Sequence, residues 1–282
     1  MRRTILCRKL TITILIVVSI SLLIFACATR MKKTEEPTVE NNEKLLQQMI
    51  EGGKLYDKWW IEVSGVEEPK TDHPLWSLQT TNKRTGSDTW RCNECHGWDF
   101  LGRDGAYGSG SHKTNFPGAY NVKHMSIKDI EAILLGSTNP NHNFSYVLDY
   151  DSIYKLALFL KEGLVNMRLY ISYEDKRPFR SNPEHGKKQF EKECVKCHGA
   201  KGNQLNFGAD SKPEYIGTIA NDDPLEFVHK VRFGQPGTIM SALRIKLKLS
   251  EEEKKMPSGI QTGYTMDDVM DILEYARTLP QK

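Results

Sequence analysis

Two five-residue segments decide the fold, Cys92-Asn93-Glu94-Cys95-His96 and Cys194-Val195-Lys196-Cys197-His198. Each has the pattern Cys-x-x-Cys-His and is followed by glycine. Two thiols about one helical turn apart can each form a thioether with a vinyl group of one porphyrin, and the adjacent histidine can then reach the iron. The segments therefore predict two covalently attached haem c groups. The attachment residues are Cys92, Cys95, Cys194 and Cys197, and the proximal iron ligands are His96 and His198.

Two other uses of these cysteines explain less of the pattern. Disulfide bonds would leave the adjacent histidines without a role. A zinc site built from both pairs would have to join Cys92 to Cys194, which are 102 residues apart in the chain and far beyond the usual spacing of zinc ribbons.

The N-terminus predicts export. A basic segment, Arg2 to Lys9, precedes a 17-residue apolar run from Leu10 to Ala26, which is shorter than the roughly 20 residues of a membrane-spanning helix. We interpret residues 1–26 as a signal peptide. Ile24-Phe25-Ala26-Cys27 resembles a bacterial lipobox, which predicts a lipid on Cys27 and a membrane-anchored tether over residues 27–44.

An ordinary cleaved signal and an uncleaved anchor are the alternatives to the lipobox. All three place the rest of the chain outside the cytoplasm, so the expected location is the periplasm or the extracytoplasmic face of a bacterial membrane.

The charge balance gives no support to nucleic-acid binding. The 282-residue chain has 39 Lys and Arg against 36 Asp and Glu, and removal of the four basic residues of the signal leaves 35 basic against 36 acidic. A nucleic-acid-binding domain would be expected to carry a basic surface. We therefore expect no nucleic-acid partner.

The two motifs lie in an internal repeat. Gly52 and Gly186 each occupy a helix before a motif, where a glycine lets another helix cross closely. Each half ends in an amphipathic helix with apolar residues at i, i+3, i+4 and i+7, starting from Ile153 and from Val269. Strand signals are sparse, so the predicted fold class is mainly α.

On these residues, each half resembles a class I cytochrome c domain, and the whole chain resembles a two-domain dihaem c-type cytochrome. The resemblance covers roughly residues 45–163 and 183–281. It implies tandem helical domains, each around one covalently bound haem, at residues 45–166 and 183–282 with a linker at 167–182. In this family a loop before the last helix supplies the second axial ligand, usually methionine.

In the second half, the sequence predicts a helix from Pro224 to Phe233 that ends at Gly234. Met240 follows in a loop, at the place where the family has its distal methionine. Serine follows Met240 where the family commonly has proline. Met256, Met266 and His229 are alternative ligands.

In the first half, a capping box at Ser126 predicts a helix through Leu135 that ends at Gly136. His142 stands six residues after this glycine, as Met240 stands six residues after Gly234. The first iron is therefore expected to have two histidine ligands, His96 and His142. The alternative distal ligands are Met125, His112 and His124.

An insertion distinguishes the first half. Gly52 precedes Cys92 by 40 residues, whereas Gly186 precedes Cys194 by only 8. All five tryptophans lie in or beside this longer stretch. We expect the insertion to form a small extra core that shields the first haem, and a substrate or partner surface is the alternative.

The expected function is transfer of single electrons between a donor and an acceptor redox protein. Because thioether sulfur stabilises ferrous iron better than a second imidazole, the resemblance implies a lower potential for the first haem than for the second. An electron carrier is favoured over an enzyme.

Three alternatives remain open. A dihaem peroxidase would need His142 to leave the iron. A thiosulfate dehydrogenase uses a distal cysteine ligand, for which no spare cysteine remains here. A cytochrome subunit of a larger oxidoreductase complex would need the same haem ligands as a free carrier.

Overall fold

The computed structural model describes residues 39–243 and 263–282. The chain divides into a unit of residues 1–38 and a unit of residues 39–282, and every described residue belongs to the second. Its α-helices are α1 (Val39–Glu62), α2 (Cys92–His96), α3 (Ile127–Leu134), α4 (Tyr150–Leu158), α5 (Pro183–Glu193), α6 (Val195–His198), α7 (Ile216–Asp222), α8 (Pro224–Phe233) and α9 (Met266–Ala276). The described residues contain isolated β-bridges and no strand, so the predicted mainly α class is confirmed.

The first helix crossing joins α1 to α4 through Gly52. A Cβ at this glycine would lie 2.7 Å from the Lys155 carbonyl carbon and 2.7 Å from the Phe159 Cβ. Only glycine leaves room for two helix backbones this close. Beyond Leu158 the helix continues as a π-helical turn, Phe159–Gly163, in which Phe159 is completely buried.

The second crossing joins α5 to α9 in the same way. A Cβ at Gly186 would overlap the Asp271 carbonyl oxygen and lie 2.9 Å from the Ile272 nitrogen. Phe190 packs edge-on against Tyr275, with 5.4 Å between ring centres. The predicted role of Gly52 and Gly186 as helix-crossing residues is confirmed.

Replacement of Gly186 with alanine is expected to destabilise the protein by about 1–3 kcal/mol, because the new methyl group meets backbone atoms that cannot move aside. At a solvent-exposed helix position the same Gly-to-Ala change stabilises a protein by about 1 kcal/mol. The close helix crossing at Gly186 therefore reverses the sign of the expected stability change. Urea unfolding measures the effect. Lys188→Ala, an exposed position on the same helix, is the matched control, and a Gly186→Ala protein as stable as this control would contradict the crossing.

The ends of α3 and α8 place the two loops that carry the predicted distal ligands. The Ser126 side chain accepts a hydrogen bond from the Asp129 N–H, and the Asp223 side chain accepts one from the Glu226 N–H. Both helices are followed by a glycine with a φ of 84°, Gly136 and Gly234, a conformation that glycine adopts without strain. The predicted helix boundaries are therefore confirmed.

Helix α8 packs against α1, which connects the two halves of the sequence. Asp57 on α1 is fully buried and forms ion pairs with Arg91 at 2.7 Å and with Lys230 on α8. His229 forms a 2.9 Å hydrogen bond through Nε2 to the Gly53 carbonyl. The two halves thus share a polar contact inside the compact unit.

The predicted linker, residues 167–182, is anchored at its start by the buried side chains of Met167 and Ile171. The predicted tether, 27–44, ends inside α1, and its residues before Val39 lie outside the described residues. The signal peptide and Cys27 also lie outside them. Among the described helices, none is long and apolar enough to cross a membrane. The domain boundaries stay predictions.

Candidate functional site

The first Cys-x-x-Cys-His motif forms helix α2, whose last residue is followed by Gly97 with a φ of 77°. The side chains of Cys92 and Cys95 are half-buried. Burial raises the pKa of both thiols, that of Cys92 to about 12. Both cysteines line the same cavity.

This cavity has a volume of about 360 Å³, within the range of small-molecule and cofactor sites. Its walls are mainly apolar, and they include both cysteines and both histidines of the predicted first haem site. The lining residues central to the site are His73, Trp90, Cys92, Cys95, His96, Pro117, His142 and Phe144.

His96 and His142 face one another across the cavity. Their ring centres are 6.2 Å apart, and the ring planes are inclined by 79°. A metal–imidazole bond of about 2 Å on each side, with each ring centre roughly 1 Å behind its nitrogen, gives about 6 Å between ring centres. The observed separation therefore fits one metal ion between the two rings.

Both histidines are oriented from behind by backbone carbonyl groups. His96 Nδ1 lies 2.7 Å from the Pro117 carbonyl oxygen, and His142 Nδ1 lies 3.4 Å from the Ile133 carbonyl oxygen. A carbonyl at Nδ1 fixes the proton there and leaves Nε2 as the free ligand atom. These contacts leave Nε2 of each ring available as a metal ligand.

Burial also keeps the two rings in the neutral form that binds metals. It lowers the pKa of His96 to about 4, and it lowers the pKa of His142. The site therefore combines two thiols and two neutral imidazoles around one apolar cavity, a donor set that fits a covalently attached haem.

The alternative distal ligands of the first half lie elsewhere. His112 has both ring nitrogens engaged, with Nδ1 2.9 Å from Glu94 and Nε2 2.8 Å from Arg84. His124 is exposed at the end of a short 3-10 turn. Met125 packs against the core but does not line the cavity. Among these candidates, only His142 faces His96.

The insertion packs over this cavity. Trp90 and His73 line it, and the 3-10 turn Pro74–Leu78 packs against the turn Pro140–His142. The buried carboxylate of Glu94, in the middle of the haem motif, accepts a 2.6 Å hydrogen bond from Asn82 in the insertion. These contacts favour the predicted extra core over an open partner surface.

Two lining residues were not predicted from the sequence. His73 lies within the insertion, 19 residues before Cys92, and Tyr56 on α1 donates a 2.7 Å hydrogen bond to the Gly97 carbonyl behind the motif. Tyr56 could have been identified from the internal repeat, because Gly52 and Tyr56 have the same spacing as Gly186 and Phe190 before the second motif. His73 carries no such signal, because the insertion has no counterpart in the second half.

The second motif begins where α5 ends, since Cys194 is the C-terminal cap of α5 and α6 follows it. His198 is buried and its ring centre is 6.0 Å from that of Phe207. Its Nδ1 is buried without a hydrogen-bond partner among the described residues. Cys194 is half-buried and Cys197 is exposed.

The loop after α8 carries Met240, which is half-buried. Its N–H donates a 3.2 Å hydrogen bond to Thr238 Oγ1, and the neighbouring Gly237 N–H donates to Glu62 at 2.7 Å. Ligation of the second iron by His198 and Met240 stays a prediction. Of the alternatives, Met256 lies outside the described residues.

His229 faces the first half of the chain. Besides its bond to Gly53, its ring lies 4.6 Å from that of Trp98 and 4.9 Å from that of Phe233. A histidine held in this way supports helix packing between the two halves rather than a role as the second distal ligand.

Comparison with known protein families identifies the class of protein to which the second half of the chain is similar. Residues 181–275 match the family described as Cytochrome C oxidase, cbb3-type, subunit III. The matched range contains the second Cys-x-x-Cys-His motif and Met240. The chain therefore carries a c-type cytochrome domain in its second half, with the covalent haem and electron-transfer chemistry that define such domains. No curated protein and no solved structure matched the chain.

Proposed function

We propose that the protein is an exported dihaem c-type cytochrome that transfers single electrons between a donor and an acceptor protein. The single observation that carries the dihaem proposal is the pair of inward-facing histidines, His96 and His142, 6.2 Å apart in a cavity that also contains Cys92 and Cys95. This arrangement in the first half supports a second haem site beside the one that the family match indicates.

In this proposal, Cys92 and Cys95 would hold the first haem covalently, and His96 and His142 would be its two iron ligands. Cys194 and Cys197 hold the second haem, with His198 and Met240 as ligands. When bound, each haem supplies an iron that changes reversibly between the ferric and ferrous states. The protein contributes attachment, ligand orientation and an apolar environment.

We include in the proposal the N-terminal features that lie outside the described residues. Residues 1–26 act as a signal peptide, Cys27 carries the lipid, and the protein works at the extracytoplasmic face of a bacterial membrane. The support is the lipobox-like Ile24-Phe25-Ala26-Cys27 together with the c-type cytochrome domain, since haem c domains are typically extracytoplasmic.

The haem content of the purified protein tests the proposal. We expect two covalently bound haems per chain, and one after the double replacement Cys92→Ala, Cys95→Ala. Potentiometric titration with low-temperature EPR should then show two low-spin centres in the wild-type protein. Near-perpendicular axial imidazoles leave two iron d orbitals close in energy, so the first centre should give a strongly anisotropic signal. One haem in the wild-type protein would refute the dihaem proposal.

The same titration separates carrier from enzyme. Low-spin haems that do not react with peroxide in any redox state support a carrier. A first haem that becomes high-spin once the second is reduced would identify His142 as a displaceable ligand and favour the peroxidase-like enzyme.

A second candidate is favoured by the family match, since its description names an oxidase subunit. The protein would then be the cytochrome subunit of a larger oxidoreductase. An oxidoreductase that co-purifies from solubilised membranes would distinguish this subunit from a free carrier.

A further inference from the structure

His73 is a third histidine in the wall of the cavity that contains His96 and His142. It is 8% exposed and lies in the insertion, immediately before the turn Pro74–Leu78. Neither the haem motif nor the two axial positions account for it. We propose that His73 donates a hydrogen bond through Nε2 to a propionate carboxylate of the first haem, an inference that rests on the function proposed for this cavity.

The backbone around His73 determines which ring nitrogen is free. His73 Nδ1 accepts a 3.2 Å hydrogen bond from the Leu75 N–H, and the His73 N–H donates a 2.8 Å bond to Thr89 Oγ1. Because Nδ1 acts as an acceptor, the proton of the neutral ring is on Nε2. Nε2–H is therefore the donor that remains for a group in the cavity.

The ring contacts separate His73 from His142, the proposed distal ligand, by one aromatic ring. The ring centre of His142 is 6.2 Å from that of His96, across the cavity, and 5.1 Å from that of Phe144. His73 contacts Phe144 at 5.7 Å and Trp90 at 4.5 Å. Phe144 is thus adjacent to both His142 and His73. A position one aromatic ring away from an axial ligand suits the edge of the porphyrin.

The chemical groups at the porphyrin edge determine which of them can accept the hydrogen bond from His73. Apart from two propionates, the edge of haem c carries methyl groups and the two thioether links, which accept no strong hydrogen bond. A carboxylate in a mainly apolar cavity requires a donor, because an unpaired buried charge is costly. The turn after His73 packs against the turn that carries His142, so the same segment that covers the distal loop supplies the donor.

Two conservative replacements separate this role from the capping role of His73. In His73→Asn, the side-chain oxygen can replace Nδ1 as the acceptor for Leu75, but the donor at the Nε2 position is lost. In His73→Gln, the side-chain NH₂ can replace Nε2–H as the donor, but the acceptor that Nδ1 provides for the Leu75 N–H is lost. The readouts are the propionate bending band in resonance Raman spectra and the midpoint potential of the first haem, both on the protein with two haems.

The proposal expects a shifted propionate band and a shifted midpoint potential in His73→Asn, and values close to wild type in His73→Gln. The reverse pattern would show that His73 only caps its turn. No change in either variant, or equal changes in both, would also overturn the proposal. Haem content and the EPR signal of the wild-type protein report separately on the proposed function, which fails if no haem is bound at Cys92 and Cys95.

Discussion

Replacement of His142 with methionine is expected to raise the midpoint potential of the first haem by on the order of 0.1 V or more, since axial ligands change haem potentials over a range of about 0.8 V. Thioether sulfur stabilises the ferrous state better than imidazole does. In the proposed ligation His142 binds the first iron opposite His96, so the replacement would change an iron ligand directly. Potentiometric titration measures it, and the EPR signal of the bis-histidine centre should disappear.

His124→Met is the matched control, because His124 belongs to the same half but is exposed and does not line the cavity. Its titration curve should match that of the wild-type protein. If His142→Met leaves both midpoint potentials and the EPR spectrum unchanged, His142 is not the distal ligand.

Sequence reasoning succeeded where a feature depends on residues close together in the chain. The capping bonds at Ser126 and Asp223 and the left-handed glycines Gly136 and Gly234 are local, so the ends of α3 and α8 could be predicted closely. Gly52 and Gly186 could be identified because a glycine inside an amphipathic helix is unfavourable unless something crosses there.

The contacts between distant segments could not be predicted in the same way. Nothing in the pattern of α8 indicates that His229 bonds to the Gly53 carbonyl or that Lys230 pairs with Asp57. His229 and Lys230 are polar residues of the amphipathic helix α8, and polar side chains on such a helix are ordinarily expected to face solvent. Only the packing of α8 on α1 buries them.

His73 illustrates the same limit within the candidate site. The resemblance to class I cytochrome c domains covers the motif helix and the helices before and after it, but the insertion is specific to the first half. Its role in the cavity depends on how the turn Pro74–Leu78 packs against Pro140–His142, which is a property of the fold rather than of a short motif.

Replacement of Asp57 with asparagine is expected to cost about 3–5 kcal/mol of folding free energy, because it leaves buried positive charge without its partner. Asp57 is fully buried and forms ion pairs with Arg91 and Lys230, whose side chains are only 15% and 14% exposed. The effect should extend to both halves of the chain, since Arg91 precedes the first haem motif and Lys230 belongs to α8. Chemical denaturation of the haem-loaded protein measures it.

The pH dependence of this loss follows from the sign of the pKa shift. Burial alone would raise the pKa of Asp57, but the charges of Lys230 and Arg91 outweigh it and lower the pKa. The ionised carboxylate therefore stabilises the fold above its unfolded pKa of about 3.9, and this contribution is lost as the pH falls through the folded pKa. The difference between wild type and Asp57→Asn should be large between about pH 5 and 8 and should shrink below about pH 4.

The exposed pair Lys70–Glu67, with both side chains more than four-fifths accessible, provides the control. Glu67→Gln should leave stability unchanged within error, because solvent screens such pairs. The double replacement Asp57→Asn, Lys230→Met should lose less than the sum of the two single replacements, since it removes one of the two cations left unpaired. Additive losses, or an Asp57→Asn protein as stable as Glu67→Gln, would show that Asp57 does not link α8 to the first haem motif.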